Sequence, residues 1–198
     1  MRLKLIVFVG LFLLLASSVS AQLTTPQLQT LKASIAAASD QAVSVPGNLC
    51  AGFVGTAINA IPNSSDGNVC VAAQYNLTAS PAFTVWKTNV PQDQVGRAFN
   101  PVELASLSSL NTQRLQNIEQ WFNTFNPSLA GDRAFFDDIF SGAGGATTRA
   151  SLLVLWKRLA LRGERLYTTG TGSDAVPGLL VFEGALTAAD VSTARNLP

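Results

Sequence analysis

The chain contains no histidine. Ser-His-Asp and Cys-His nucleophile systems, and every His-ligated zinc or iron site, are thereby excluded. Methionine occurs only at Met1, so no internal AUG start exists. Charge is sparse and nearly balanced, with 13 Lys and Arg against 12 Asp and Glu in 198 residues. Arg2 and Lys4 sit in the leader described below, leaving 11 against 12 in the remainder. That balance argues against nucleic acid or an anionic membrane as the main partner.

What is present begins with an export pattern. "MRLK" supplies a positive start, "LIVFVGLFLLLA" an apolar run of twelve residues, and "SSVSA" places Val19 and Ala21 where a signal peptidase reads small residues. Residues 1–21 are expected to be a signal peptide cleaved between Ala21 and Gln22. Twelve helical residues span roughly 18 Å, short of a hydrocarbon core of about 30 Å, so membrane contact is expected only through this leader. An uncleaved anchor stays open as the alternative. "LLLASS" has no cysteine for a lipoprotein anchor. The expected address is periplasmic or secreted; if Leu23 is the true initiator, it is the virion or cytoplasm.

Residues 22–198 are long enough for one domain with its own core. Cys50 and Cys70 fit an oxidising compartment, where an even count suggests a bridge. Two buried free thiols are the alternative.

Helical periodicity dominates the rest. Thr25 is expected to cap a helix with Pro26 at its first position and Leu28, Leu31 and Ile35 on one face. Residues 41–63 mix Pro and Gly with apolar patches and read as an irregular insertion. Ser65 or Asp66 starts a second helix; Pro91 and Pro101 each begin a short one. Asn111 or Thr112 caps a helix carrying Leu115, Ile118, Phe122 and Phe125, and Phe136, Ile139 and Phe140 line another. The longest helix is expected over residues 148–170, with Leu152, Leu155, Trp156, Leu159 and Leu166 inward and Gly170 as its stop. Thr187 caps a terminal helix. Residues 82–87 and 179–182 read as strands that pair with each other. The expected fold is mainly α, a single helical domain with a small two-stranded β element.

Five features could carry chemistry. "SGAGGATTR", residues 141–149, sets glycines before a helix start, which can present N–H groups to an anion; no Lys follows as a P-loop requires. The plainer reading is a flexible hinge with Thr147 or Thr148 capping the next helix. Asp137, Asp138 and Glu164 are the one acidic set that could serve acid–base work, or else are solvated surface. Lys157, Arg158, Arg162 and Arg165, at helical spacing, could form a stripe that binds a partner, or be paired internally with Asp137, Asp138 and Glu183. Asn63 and Asn76 begin Asn-x-Ser/Thr sequons. Trp86, Trp121 and Trp156 could form a ligand platform, or pack in the core. No catalytic, metal or cofactor residues are expected.

The stretches "LTTPQLQTLKASIAA", "NSSDG", "SPAFTVWKTNVP", "NPSLAGDRAFFDDIFSGAGG" and "TRASLLVLWKRLALRGERLYTTGTGSDAVPGLLVFEGALTAADVSTARN" cover well over half of the chain beyond the leader. In them it resembles an uncharacterised family of small proteins encoded among the virion structural genes of tailed bacteriophages. The resemblance implies a virion structural or assembly role through contacts with other virion proteins, with a homo-oligomer left open, and no catalytic residues. Residues 1–22 and much of the segment between Ala42 and Ile61 depart from that family. These additions favour the alternative of an exported interaction module built on the same fold; an enzyme is the remaining alternative.

Overall fold

The computed structural model describes residues 23–44 and 48–198. The expected signal peptide and the Ala21/Gln22 cleavage point lie outside the described residues.

The first helix, α1, spans Thr25–Ala37. Its cap is Thr24 rather than Thr25, with Gln27 reaching back to the Thr24 N–H at 2.8 Å. Leu28, Leu31 and Ile35 face inward as their spacing predicts. The irregular stretch that follows contains two short 3-10 turns, Asn48–Phe53 and Ile58–Ala60, and an antiparallel bridge between Ala42 and Ala57. Helix α2, Ser65–Tyr75, is capped by Ser64, whose hydroxyl accepts from the Gly67 N–H. Cys50 in the first turn and Cys70 in α2 are joined by a disulfide, their Cα atoms 5.0 Å apart.

The chain then builds β1 (Thr84–Trp86), β2 (Val90–Pro91), α3 (Gln92–Ala98), α4 (Pro101–Ala105), α5 (Ser109–Trp121), β3 (Thr124–Phe125), α6 (Ala130–Ile139), α7 (Ala146–Trp156), β4 (Lys157–Leu159), α8 (Arg162–Arg165), β5 (Thr168–Thr169), β6 (Leu179–Leu180) and α9 (Ala188–Asn196). The fold is mainly α, as the sequence predicts, with three short antiparallel β pairs among the described residues where one was expected. Pro101 opens α4 and Thr187 caps α9 as expected, whereas Pro91 precedes α3 and Ser108 caps α5.

Buried apolar residues form two clusters. One joins α1, the 3-10 turns, α2 and α9 through Leu31, Ile58, Cys70, Val71 and Val191, and draws in Tyr167, Phe182 and Leu186. The other is aromatic: Phe125, Phe136, Phe140 and Trp156 with Val90, Val95, Leu115, Ile139 and Leu152. Phe136 touches Phe125 edge-on at 5.2 Å and Trp156 at 5.6 Å between ring centres. Phe122, expected inside, is exposed because α5 ends at Trp121 and the chain turns into β3.

Two expectations fail in the segment linking the clusters. The long helix stops at Trp156, and residues 157–159 become a strand opposite β1, pairing Thr84 with Leu159 and Trp86 with Lys157. The apolar spacing continues in helical period, but the open edge of β1 competes for the backbone. The Ala160 N–H donates to Phe83, just before β1, and the Arg162 N–H to Leu77, just after α2, so these segments take hydrogen bonds the helix would have kept. Leu159 thereby points outward. The second failure is the strand pairing. Residues 179–180 pair with 168–169, not with 82–87, although Gly178 bridges Val85 on the edge of β1 away from β4. Gly170, expected as a helix stop, instead turns the chain next to β5 with φ +93°.

Candidate functional site

Dividing that helix also divides the basic stripe. Lys157 and Arg158 lie on β4 and Arg162 and Arg165 on α8, so the four cations do not share a helix face. Lys157 is mostly buried; it donates to the Asp174 carbonyl at 2.8 Å and to its carboxylate at 3.3 Å, and lies 5.8 Å from the Trp86 ring centre.

Arg158 is committed inward. Its Nη1 and Nη2 each donate at 2.7 Å to an oxygen of Glu164, and Nη2 also donates to Glu183 at 2.9 Å. Glu164 is 1% exposed and accepts further bonds from the Leu161 N–H at 2.8 Å and the Gly184 N–H at 3.0 Å. Burial alone would raise its pKa, but the Arg158 bond and the two backbone donors outweigh that and hold the carboxyl below its usual range. Arg158 is pushed above its usual value chiefly by the Glu164 bond. Glu183 is the one pairing partner that the internal-pairing alternative names correctly for this arginine; Thr88 donates to its other oxygen.

The acidic set does not assemble. Asp138 pairs with Arg114 on α5 at 2.7 Å, while Glu164 is locked to Arg158, so the two share no partner and no cleft. Asp137 is exposed on α6. Among the described residues no group of three Asp, Glu or Cys side chains gathers to hold a metal ion.

The glycine-rich segment does present N–H groups to an anion, but the anion is internal. Glu103 of α4 accepts from the Thr147 N–H at 2.9 Å and the Thr148 N–H at 2.7 Å, closing the N-terminus of α7. Desolvation opposes ionisation of Glu103, but hydrogen bonds from Thr148 and Thr147 prevail and lower its pKa to about 2. Neither threonine caps α7 with its side chain as expected; the Thr148 hydroxyl instead accepts from the Asn100 N–H. Gly145 also has a packing role. Gly145 is buried so close to Phe140 that an added Cβ would lie 2.0 Å from its carbonyl oxygen. Nothing in the spacing of Glu103 signals this role, because its partner is 45 residues away.

Asn76 holds the chain before α9, donating to the Leu186 carbonyl at 2.9 Å and accepting from its N–H at 2.8 Å. Asn63 is exposed and shares its amide with Asn68 and Asn196. Trp156 packs in the aromatic cluster, and Trp86 stacks under Arg133 at 4.3 Å, so these two form no open platform. The Trp121 side chain lies outside what the structure describes.

Two surfaces stand out among the described residues. Arg162 and Arg165 line a polar cleft of about 510 Å³ with Ser34, Asp40, Tyr75 and Ser80, and the Arg162 Nη1, itself shielded from solvent, has no hydrogen-bond partner. On the opposite cluster, α7 carries apolar residues on both sides. Leu152 and Trp156 are buried, while Val154 is 79% exposed and lines a broad groove of about 650 Å³ with Ala98, Phe99, Pro101 and Leu155. Val102, beside Pro101, is 78% exposed. No described helix is long and apolar enough to cross a membrane.

Set against protein-family models, curated proteins and solved structures, the chain matches none of them.

Proposed function

We propose that this chain is a non-enzymatic structural or assembly protein of bacteriophage descent that works through protein–protein contacts, made by the outer face of α7 and the groove beside it. The observation carrying the proposal is the second apolar face of α7. A surface helix of a globular protein normally turns polar residues outward, and a helix apolar on both sides is usually covered on both. Val154 and Val102 supply uncovered apolar surface, with Arg97 and Gln94 at the polar margin of the groove. The resemblance of the quoted stretches to phage virion proteins supplies the class of partner.

The Cys50–Cys70 disulfide favours a second reading, an exported interaction module on the same fold. Proteomics of purified virions beside the cell envelope fraction separates the two. Recovery in virions supports the assembly role, and confinement to the envelope fraction supports the exported module. Replacing Val154 and Val102 with Asp removes the apolar face without touching either core. Loss of particle or complex incorporation with an unchanged circular dichroism spectrum is the expected result, and normal incorporation overturns the α7 interface.

A further inference from the structure

We propose that the cleft formed by the ends of α1 and α2 with α8 is a carboxylate-binding site, in which Arg162 grips the ligand. The site stands apart from the α7 face and does not depend on it.

Two arginines four positions apart are treated in opposite ways. Arg158 has each of its terminal nitrogens on a carboxylate. Arg162 forms no ion pair among the described residues, and its buried Nη1 has no hydrogen-bond partner at all. Buried polar atoms are nearly always bonded, so the unpaired Nη1, closed to solvent in this conformation, marks a guanidinium that gains its missing bond by turning into the adjoining cleft of about 510 Å³ onto a ligand.

The lining selects the ligand class. Arg165 stands at the rim, its Nη1 on the Pro81 carbonyl at 3.1 Å and its guanidinium over the Phe83 ring at 5.6 Å, and adds a second positive charge. The Tyr75 hydroxyl and the Ser34 hydroxyl are 2.7 Å apart. Burial pushes Tyr75 up, so it stays a neutral hydroxyl that can donate. Asp40 on the same wall reduces the two cations to a net single positive charge. A carboxylate offers two coplanar oxygens to the planar fork of arginine and its single charge neutralises the cleft, whereas a phosphate dianion would leave the cleft net negative.

The test uses the full disulfide-bonded chain in chloride buffer, followed by amide NMR during titration with acetate, with N-acetyl-glutamate amide and with inorganic phosphate. Saturable shifts at Ser34, Tyr75 and Arg162 with dissociation constants on the order of 1–10 mM are expected for the carboxylates. Equal binding of the two carboxylates assigns the site to a free small acid; tighter binding of the glutamate amide assigns it to an acidic side chain of another protein. Arg162→Gln should weaken binding about tenfold or more with the spectrum otherwise intact. Asp40→Asn, an exposed change that leaves Arg162 in place, should tighten it roughly threefold. Absence of saturable shifts, binding unchanged in either variant, or phosphate binding tighter than acetate overturns the proposal.

Discussion

The guanidinium of Arg158 and the carboxylate of Glu164 meet fork to fork, Nη1 to Oε2 and Nη2 to Oε1, both at 2.7 Å. Glu164 belongs to α8 and Arg158 to β4, so the pair fastens the short helix to the strand that displaced the end of α7. Removing the arginine leaves an anion at 1% exposure with only two backbone donors. Arg158→Leu should cost about 3 kcal/mol in urea unfolding near neutral pH, the low end for a broken buried pair, since Glu164 keeps those two bonds.

The same pair predicts a pH signature. Glu164 is held below its usual range in the native protein and loses its principal stabiliser in Arg158→Leu, so the variant's carboxyl titrates at higher pH. A lowered folded pKa contributes stability above the unfolded value and loses it as pH falls. Acid therefore protonates the variant first, and the stability gap between native protein and variant should narrow as pH drops from neutral toward the carboxylate range. A gap that stays constant across that range contradicts the assignment of Glu164 as the buried charge.

How far the sequence foretold this pairing depends on distance along the chain. Local rules located α1, α4 and α9 through Pro26, Pro101 and Thr187, each a contact within one turn. The apolar periods of α1 and α6 identified Leu31, Ile35, Phe136 and Ile139 as core. Long-range competition was not legible. The stretch after Trp156 keeps helical spacing, and only the presence of β1 some 70 residues earlier makes it a strand, which is why the basic stripe dissolved. Glu103 was invisible for the same reason, and the Arg162 cleft exists only once α1, α2 and α8 converge.

Glu103 offers a cleaner titration than Glu164. It is the acceptor for the first N–H groups of α7, and its pKa lies at about 2 against an ordinary 4.5. Its contribution is complete above about 4.5 and is lost as pH falls toward about 2. Side-chain carboxyl NMR should place its midpoint near the lower value. Glu103→Gln should flatten the acid limb of the stability curve and speed hydrogen exchange at the Thr147 and Thr148 amides; an ordinary midpoint would rule out the cap.

Gly145 and Gly144 are neighbours with opposite tolerances. A Cβ on Gly145 would sit 2.0 Å from the Phe140 carbonyl oxygen and 2.7 Å from its Cα, while Gly144 faces open space. The obstacle is backbone, which cannot swing aside, and Phe140 is itself fixed in the aromatic cluster. Gly145→Ala should destabilise by about 3 kcal/mol, at the upper end of overpacking costs, and Gly144→Ala by little. Thermal melting of the two variants side by side checks the contrast; equal melting temperatures would mean that the backbone at Phe140 gives way to admit the Cβ.

The Cys50–Cys70 bridge joins a 3-10 turn to the middle of α2 with both residues fully buried, 20 positions apart. Closing a loop of that length restricts the unfolded chain by roughly 3 kcal/mol in the chain-entropy model. Its effect should be local first, because the 48–53 turn packs chiefly on α2, whereas α9 also holds α2 and is itself packed against α1, in a cluster that includes Leu31, Val71 and Val191. Reduction, or Cys50→Ala with Cys70→Ala, should therefore raise hydrogen exchange in residues 50–57 before it lowers protection in α2, and then reduce the urea midpoint. Mass spectrometry supplies the complementary measurement: no alkylation in unreduced native protein and two alkyl groups after reduction. Two reactive thiols in unreduced protein would mean that the oxidised form is not the one the cell makes, and would remove the main structural support for an exported role.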